Sequence, residues 1–194
     1  MVRKTVGAFL TTTLAALLLA ATFAAAASAA VWKFNGSELV GKETVIGKAL
    51  ENSFVIPGLT TKCELSYKMN ISNSAGVGKG EITELLLKNC STSSKECTVQ
   101  TATAEKLPWP LHLTTVNSKI YVVLEKVRIR LLYGGEECAL NETVATITGT
   151  ATGLFSNTSS TIAFNSELNE NVVWNCVLTT EATGIHGGQA LEVG

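Results

Sequence analysis

The chain contains no aspartate; every acid in it is a glutamate. Calcium loops of the EF-hand kind depend on aspartate oxygens, so that chemistry is disfavoured from the start. A Ser-His-Asp triad and an aspartic dyad are excluded as written. Histidine is nearly absent too, with only His112 and His186 present. His112 lies in Leu111-His112-Leu113, on the strand face opposite Trp109, Leu111 and Leu113, and reads as solvent-facing. His186 sits in the glycine-rich tail. Each reads as an ordinary surface histidine, because a general base needs a nucleophile and an orienting group beside it. No Gly-x-Ser-x-Gly, no His-Glu-x-x-His and no Cys-x-x-Cys occurs. Gly76-Val77-Gly78-Lys79-Gly80 is glycine-rich, but no helix follows it, so it reads as a hairpin turn rather than a phosphate loop.

Charge is scarce and balanced. The chain has 15 basic and 16 acidic side chains. Without Arg3 and Lys4 the basic count is 13, leaving a net charge of −3. That excludes the basic footprint of a nucleic-acid-binding protein. No metal-ligand spacing and no cofactor motif is present, and none is expected.

The first residues have a different character. Arg3 and Lys4 precede an apolar run, Val6 to Ala27, that ends in Ala27-Ser28-Ala29. This is the pattern of a secretory signal peptide over residues 1–29, cut after Ala29. An uncleaved anchor is the alternative, since the run is long enough to span a bilayer. No second apolar run approaches that length, so no membrane span is expected after cleavage. Residues 30–194 then form one secreted domain of ordinary size. Five sequons (Asn35, Asn70, Asn89, Asn141 and Asn157) would carry glycans only in a eukaryotic secretory route, and the alanine-rich signal looks bacterial.

The mature region alternates between apolar and polar residues instead of showing a helical period. Lys119 to Leu132 is the longest such stretch. Tyr121, Val123, Val127, Ile129 and Leu131 share one expected face, with Glu125 as a misfit. Thr61 to Ile71 is the cleanest, placing Cys63, Leu65, Tyr67, Met69 and Ile71 together. Glu38 to Asn52 reads as short pieces broken at Gly41 and Gly47. Leu85-Leu86-Leu87 interrupts the alternation of the next strand, through burial on both faces or through a bulge. About ten strands at close spacing imply an all-β, mostly antiparallel sandwich or flattened barrel. The pattern leaves open sheets and a closed barrel equally available.

All five cysteines fall in the mature part, and an exported chain meets an oxidising compartment, so disulfides are the default. A hairpin folded near Gly76 places Cys63 opposite Cys90. Cys97 and Cys138 are the natural second pair. Cys176 is left over as a buried, unpaired thiol among apolar neighbours.

Lys126, Arg128 and Arg130 form a basic stripe that could meet an anionic wall polymer, or simply a solvated strand face. Trp109 is the one tryptophan that could serve as an exposed sugar-binding platform, but packing in the core or a turn is the preferred reading. Glu136-Glu137 and Glu167 with Glu170 are the close acid pairs that glycoside chemistry would require, though each falls in or beside a turn.

Taken together, several features resemble a group of secreted β-rich proteins from high-GC soil actinobacteria. They are the alanine-rich signal, Trp32, Gly36-Ser37-Glu38-Leu39, the Cys63 and Cys90 hairpin, Leu107-Pro108-Trp109, Gly134-Gly135 ahead of Cys138, and the run from Thr148 to Gly153. The resemblance implies export and a β fold, and it implies no activity. Cys176 departs from that layout. The function expected is a secreted, disulfide-bonded β domain that binds or builds at the cell exterior without catalysis. A cell-wall or extracellular polymer is the expected partner. The alternatives are a glutamate-based hydrolase and a barrel that carries a small apolar ligand.

Overall fold

The computed structural model describes residues 29–194. Apart from Ala29, the expected signal peptide lies outside the described residues. Thirteen strands follow in order. They are β1 (Trp32–Phe34), β2 (Ser37–Glu38), β3 (Lys42–Ile56), β4 (Leu59–Ser74), β5 (Val77–Thr92), β6 (Thr98–Ala104) and β7 (Trp109–Val116). After them come β8 (Lys119–Gly134), β9 (Val144–Ser156), β10 (Thr161–Glu167), β11 (Val173–Thr179), β12 (Glu181–Ala182) and β13 (Leu191–Val193). A single 3-10 turn, Asn169–Asn171, joins β10 to β11.

Eight strands form a closed antiparallel barrel in the order β11-β10-β9-β8-β7-β5-β4-β3. β3 pairs back onto β11, Val55 opposite Val173 through Ala49 opposite Leu178, and this pairing closes the sheet. The barrel, not the sandwich, is therefore the architecture formed. β3 makes closure possible because it is one strand of 15 residues, not the broken pieces expected. Gly47 does not interrupt it. A Cβ there would lie 1.9 Å from the Thr179 carbonyl oxygen and 2.7 Å from the Tyr67 ring. Glycine at this point lets β11 and Tyr67 approach the β3 backbone closely.

The interior is filled. Trp109, Trp174, Tyr133, Phe54, Met69, Leu124, Ile129, Leu131 and Ile147 are all fully buried. An eight-stranded barrel is about wide enough for its inward side chains to meet across the axis. A small sheet, β13-β1-β2, seals one end. There the Trp32 indole N–H donates to the Lys79 carbonyl at 2.9 Å, and Asn73 bonds the Trp32 backbone. Near the opposite end, the Thr61 and Tyr133 hydroxyls share a hydrogen bond of 2.7 Å.

β8 corrects the face expected for it. Val122 and Leu124 point inward, and so do Val127, Ile129 and Leu131, while Tyr121 and Val123 do not. The inward set changes parity because Glu125 and Lys126 together oppose the single Thr150 of β9. Lys126 takes φ 56° at this bulge. A bulge inserts one residue and turns the side chains beyond it to the other face. The same device resolves the three leucines of β5. The register slips between Lys68 and Met69, leaving Thr83 extra, so Leu85 is buried while Leu86 is 52% exposed.

Two edges are not completed by ladders. β6 and β7 run in the same direction along one side of β8, as two halves of an interrupted strand. β5 is bonded to β7 only from Lys79 to Ile82; beyond that it lies against β6 without pairing. Similarly, β10 leaves β9 after Phe164. Side chains then take over the free edge of β9. Asn169 accepts from the Thr148 N–H and donates to the Thr146 carbonyl, and Ser166 does the same for Thr152.

Candidate binding surface

The cysteines pair as their spacing suggested. Cys63 joins Cys90 and Cys97 joins Cys138. Their placement has a physical logic. Cys90 ties β5 to β4, and Cys97 ties the start of β6 to the loop after β8. The two crosslinks thus flank the β5–β6 seam that has no hydrogen-bond ladder. Cys176 is free and buried inside the barrel, where loss of hydration holds its thiol well above the usual range.

Trp109 is not a platform. It is fully buried, the first inward residue of β7, and its indole N–H donates to the Glu105 carbonyl at 2.8 Å. Trp32 and Trp174 are equally buried, so the described tryptophans offer no stacking surface to a sugar. The signal was in the pattern: Trp109, Leu111 and Leu113 alternate, and two of the three are plainly core residues.

The basic stripe is on the outside of β8. Lys126 stands exposed at the bulge, and Arg130 is exposed between Thr103 of β6 and Thr146 of β9. Arg128 is partly committed, donating from Nε to Glu105 at 2.8 Å. Next to it runs a row of hydroxyls, because Thr146, Thr148, Thr150 and Thr152 alternate with the inward Ile147 and Ala151 and the exposed Gly149 of β9. Strand geometry spaces such hydroxyls about 6.6 Å apart. The surface is therefore cationic and rich in hydrogen-bonding groups.

The glutamates of the acid pairs whose side chains are described stand in solvent. Glu136 and Glu137 are both exposed in the turn after β8, and Glu167 is exposed at the end of β10. The side chain of Glu170 lies outside the described residues. His112 faces out and sits 3.4 Å from Glu125, while His186 stacks on Phe34 with ring centres 4.5 Å apart. Among the described residues no group of three or more His, Cys, Asp or Glu comes together. No helix among them is long and apolar enough to cross a membrane.

Inside the barrel, Tyr67 and Tyr133 keep their phenols protonated. Burial raises Tyr67 first, and the nearby Cys176 adds to it. Burial also raises Tyr133, and the Thr61 hydrogen bond offsets part of the rise. These are structural hydroxyls: Tyr67 donates to the Thr179 carbonyl at 2.8 Å, across the closing pair of strands.

A second outer surface was not anticipated. A depression of about 430 Å³ lies on β3, β4 and β5, lined by residues that include Ile46, Lys48, Ser66, Lys68, Glu84 and Leu86. Further depressions continue along the same three strands. The anomalous leucine triplet of β5 was the one sequence signal for it.

Comparison with protein-family models, curated proteins and solved structures found no match to this chain.

Proposed function

We propose that this chain is a secreted, non-catalytic binding domain that contacts an anionic cell-wall or extracellular polymer through the outer face of β8. The observation that carries the reading is the stripe itself. Lys126 and Arg130 stand exposed on the barrel wall, flanked by threonine hydroxyls, and among the described residues the one acid that engages the stripe is Glu105, on Arg128. A cationic face with hydroxyl neighbours suits phosphate or carboxylate groups repeating along a polymer.

Export on a signal peptide over residues 1–29 fits the rest of the molecule. Two disulfides belong in an oxidising compartment. Ala30, the first residue after the expected cut, is buried and accepts a hydrogen bond from Gly78 N–H. The resemblance to secreted actinobacterial proteins supports the same location. The filled interior favours neither of the alternatives: among the described residues it offers an apolar ligand no chamber, and Glu136, Glu137 and Glu167 stand in solvent instead of a cleft.

The test is co-sedimentation of the purified protein with insoluble wall material over a salt series. Binding should weaken as salt rises, and Lys126→Ala with Arg130→Ala should reduce it about tenfold, since two exposed charges are removed. Binding unchanged in that variant would overturn the proposal, as would turnover of a glycosidic substrate that a single glutamate substitution abolishes.

A further inference from the structure

We infer that the outer face of β3, β4 and β5 is a two-fold interface between two copies of this chain. The argument starts from the register. Three successive outward rows cross the three strands. The central row is Lys48, Ser66 and Leu86. On one side of it stand Ile46, Lys68 and Glu84. On the other side Glu64 of β4 is opposite Lys88 of β5, and the irregular stretch of β3 that holds Leu50 lies beside them.

The two flanking rows carry the same charges in inverted order. Lys68 on β4 neighbours Glu84 on β5, and Glu64 on β4 neighbours Lys88 on β5. A two-fold axis through Ser66, lying in the plane of contact and across the strands, exchanges these rows. It sets Lys68 against Glu64 of the second copy and Glu84 against its Lys88. Within one chain Lys68 and Glu84 already pair at 3.4 Å, so each half of the contact becomes a four-membered network of alternating sign. An isologous contact requires this kind of self-complementarity.

The apolar side chains obey the same operation. Ile46, Leu50 and Leu86 are 41%, 61% and 52% exposed, a concentration that strand faces in water rarely keep. The axis sets Leu86 on its own copy and Leu50 beside Ile46. The depression of about 430 Å³ beside Ile46 and Leu86 gives the incoming Leu50 a place to sit. Stacked sheets cross at about 30°, so contact concentrates on the rows nearest the axis, which are the matched ones. Lys48 is the single mismatch, because the axis sets it against itself. Glu181 lines the same depression and partly offsets that repulsion.

Sedimentation velocity over a concentration series tests the inference on the purified protein. The expected result is a reversible monomer–dimer equilibrium. Lys68→Glu should weaken the dimer about tenfold, and adding Glu64→Lys should restore it to within about threefold, because positions 68 and 64 again face each other with opposite charges across the axis, while the new like-charge neighbours, Glu84 and Lys88 of the same chain, are present in monomer and dimer alike. Lys48→Ala should tighten it about threefold by removing the like-charge contact. Leu86→Lys should leave only monomer. These side chains are exposed in the single chain, so circular dichroism of each variant should match that of the parent. A protein that sediments as monomer at every concentration overturns the inference. So does a dimer that Leu86→Lys leaves intact, or one that the Glu64→Lys addition fails to restore.

Discussion

Asn52 is a buried amide at the point where the barrel closes, and removing it should cost far more than its size suggests. Its Oδ1 accepts from the Trp174 indole N–H at 2.8 Å, and its Nδ2 donates to the Cys63 carbonyl at 3.1 Å. One side chain therefore links β3 to β11 and to the disulfide-bearing strand β4. Trp174 is fully buried, stacked between Phe54 and Phe164 with ring centres 6.1 and 5.2 Å away. Asn52→Ala leaves the buried indole N–H and the Cys63 carbonyl without their partner. An unsatisfied buried group costs about 1–3 kcal/mol, so the variant should lose about 2–4 kcal/mol. Trp174→Phe strands Asn52 Oδ1 instead and opens a small void, for a similar loss. The double variant removes both partners of the indole bond, and so should be less destabilised than the sum of the singles by about 1–2 kcal/mol. Urea unfolding of the disulfide-intact protein measures this, provided that the slope of the transition stays constant. Strict additivity, or single losses under about 0.5 kcal/mol, would refute the reasoning.

Other consequences follow from the same interior. Removing Cys63–Cys90, which closes a separation of 27 residues, should cost about 3.5 kcal/mol; Cys97–Cys138, with a separation of 41, about 4 kcal/mol. Either loss should speed hydrogen exchange in β5 and β6 more than in β3, because the seam between them has no ladder; uniform acceleration would contradict that placement. Tyr67, Tyr133 and Cys176 all have raised pKa values in the folded state. Their contribution to stability is complete below the unfolded values, about 8.5 for a thiol and about 10 for a phenol, and is lost as pH rises toward the folded ones. Urea midpoints should accordingly fall from pH 8 to pH 11, and less steeply in Tyr67→Phe. A thiol reagent should leave Cys176 untouched in the native protein and titrate one thiol after unfolding; rapid native reaction would place Cys176 at the surface.

Strand positions were largely legible because inward and outward residues alternate, and Thr61 to Ile71 shows this most clearly. Cys63–Cys90 could be read from hairpin geometry for the same reason, and Cys97–Cys138 followed as the natural second pair. What alternation could not supply was the count of residues in a bulge. Glu125 stood out as a misfit, but the pattern does not say that it and Lys126 share one partner. Gly47 misled in the opposite direction: glycine marks a break in most strands, and here it marks a close approach by a strand more than 130 positions away. For Trp109 the alternation with Leu111 and Leu113 already favoured packing over a platform, and the core absorbs it. Closure of the barrel is non-local, depending on β3 meeting β11, and no pattern within either strand encodes that meeting.

The pairing of β3 with β11 is therefore the measurement to make. Backbone cross-strand NOEs in the folded, oxidised protein report it directly. The closed barrel predicts contacts linking Val173 through Leu178 with Val55 back to Ala49, in antiparallel register. Their absence, with β3 and β11 each presenting a free edge to solvent, would show an open sheet and contradict the account.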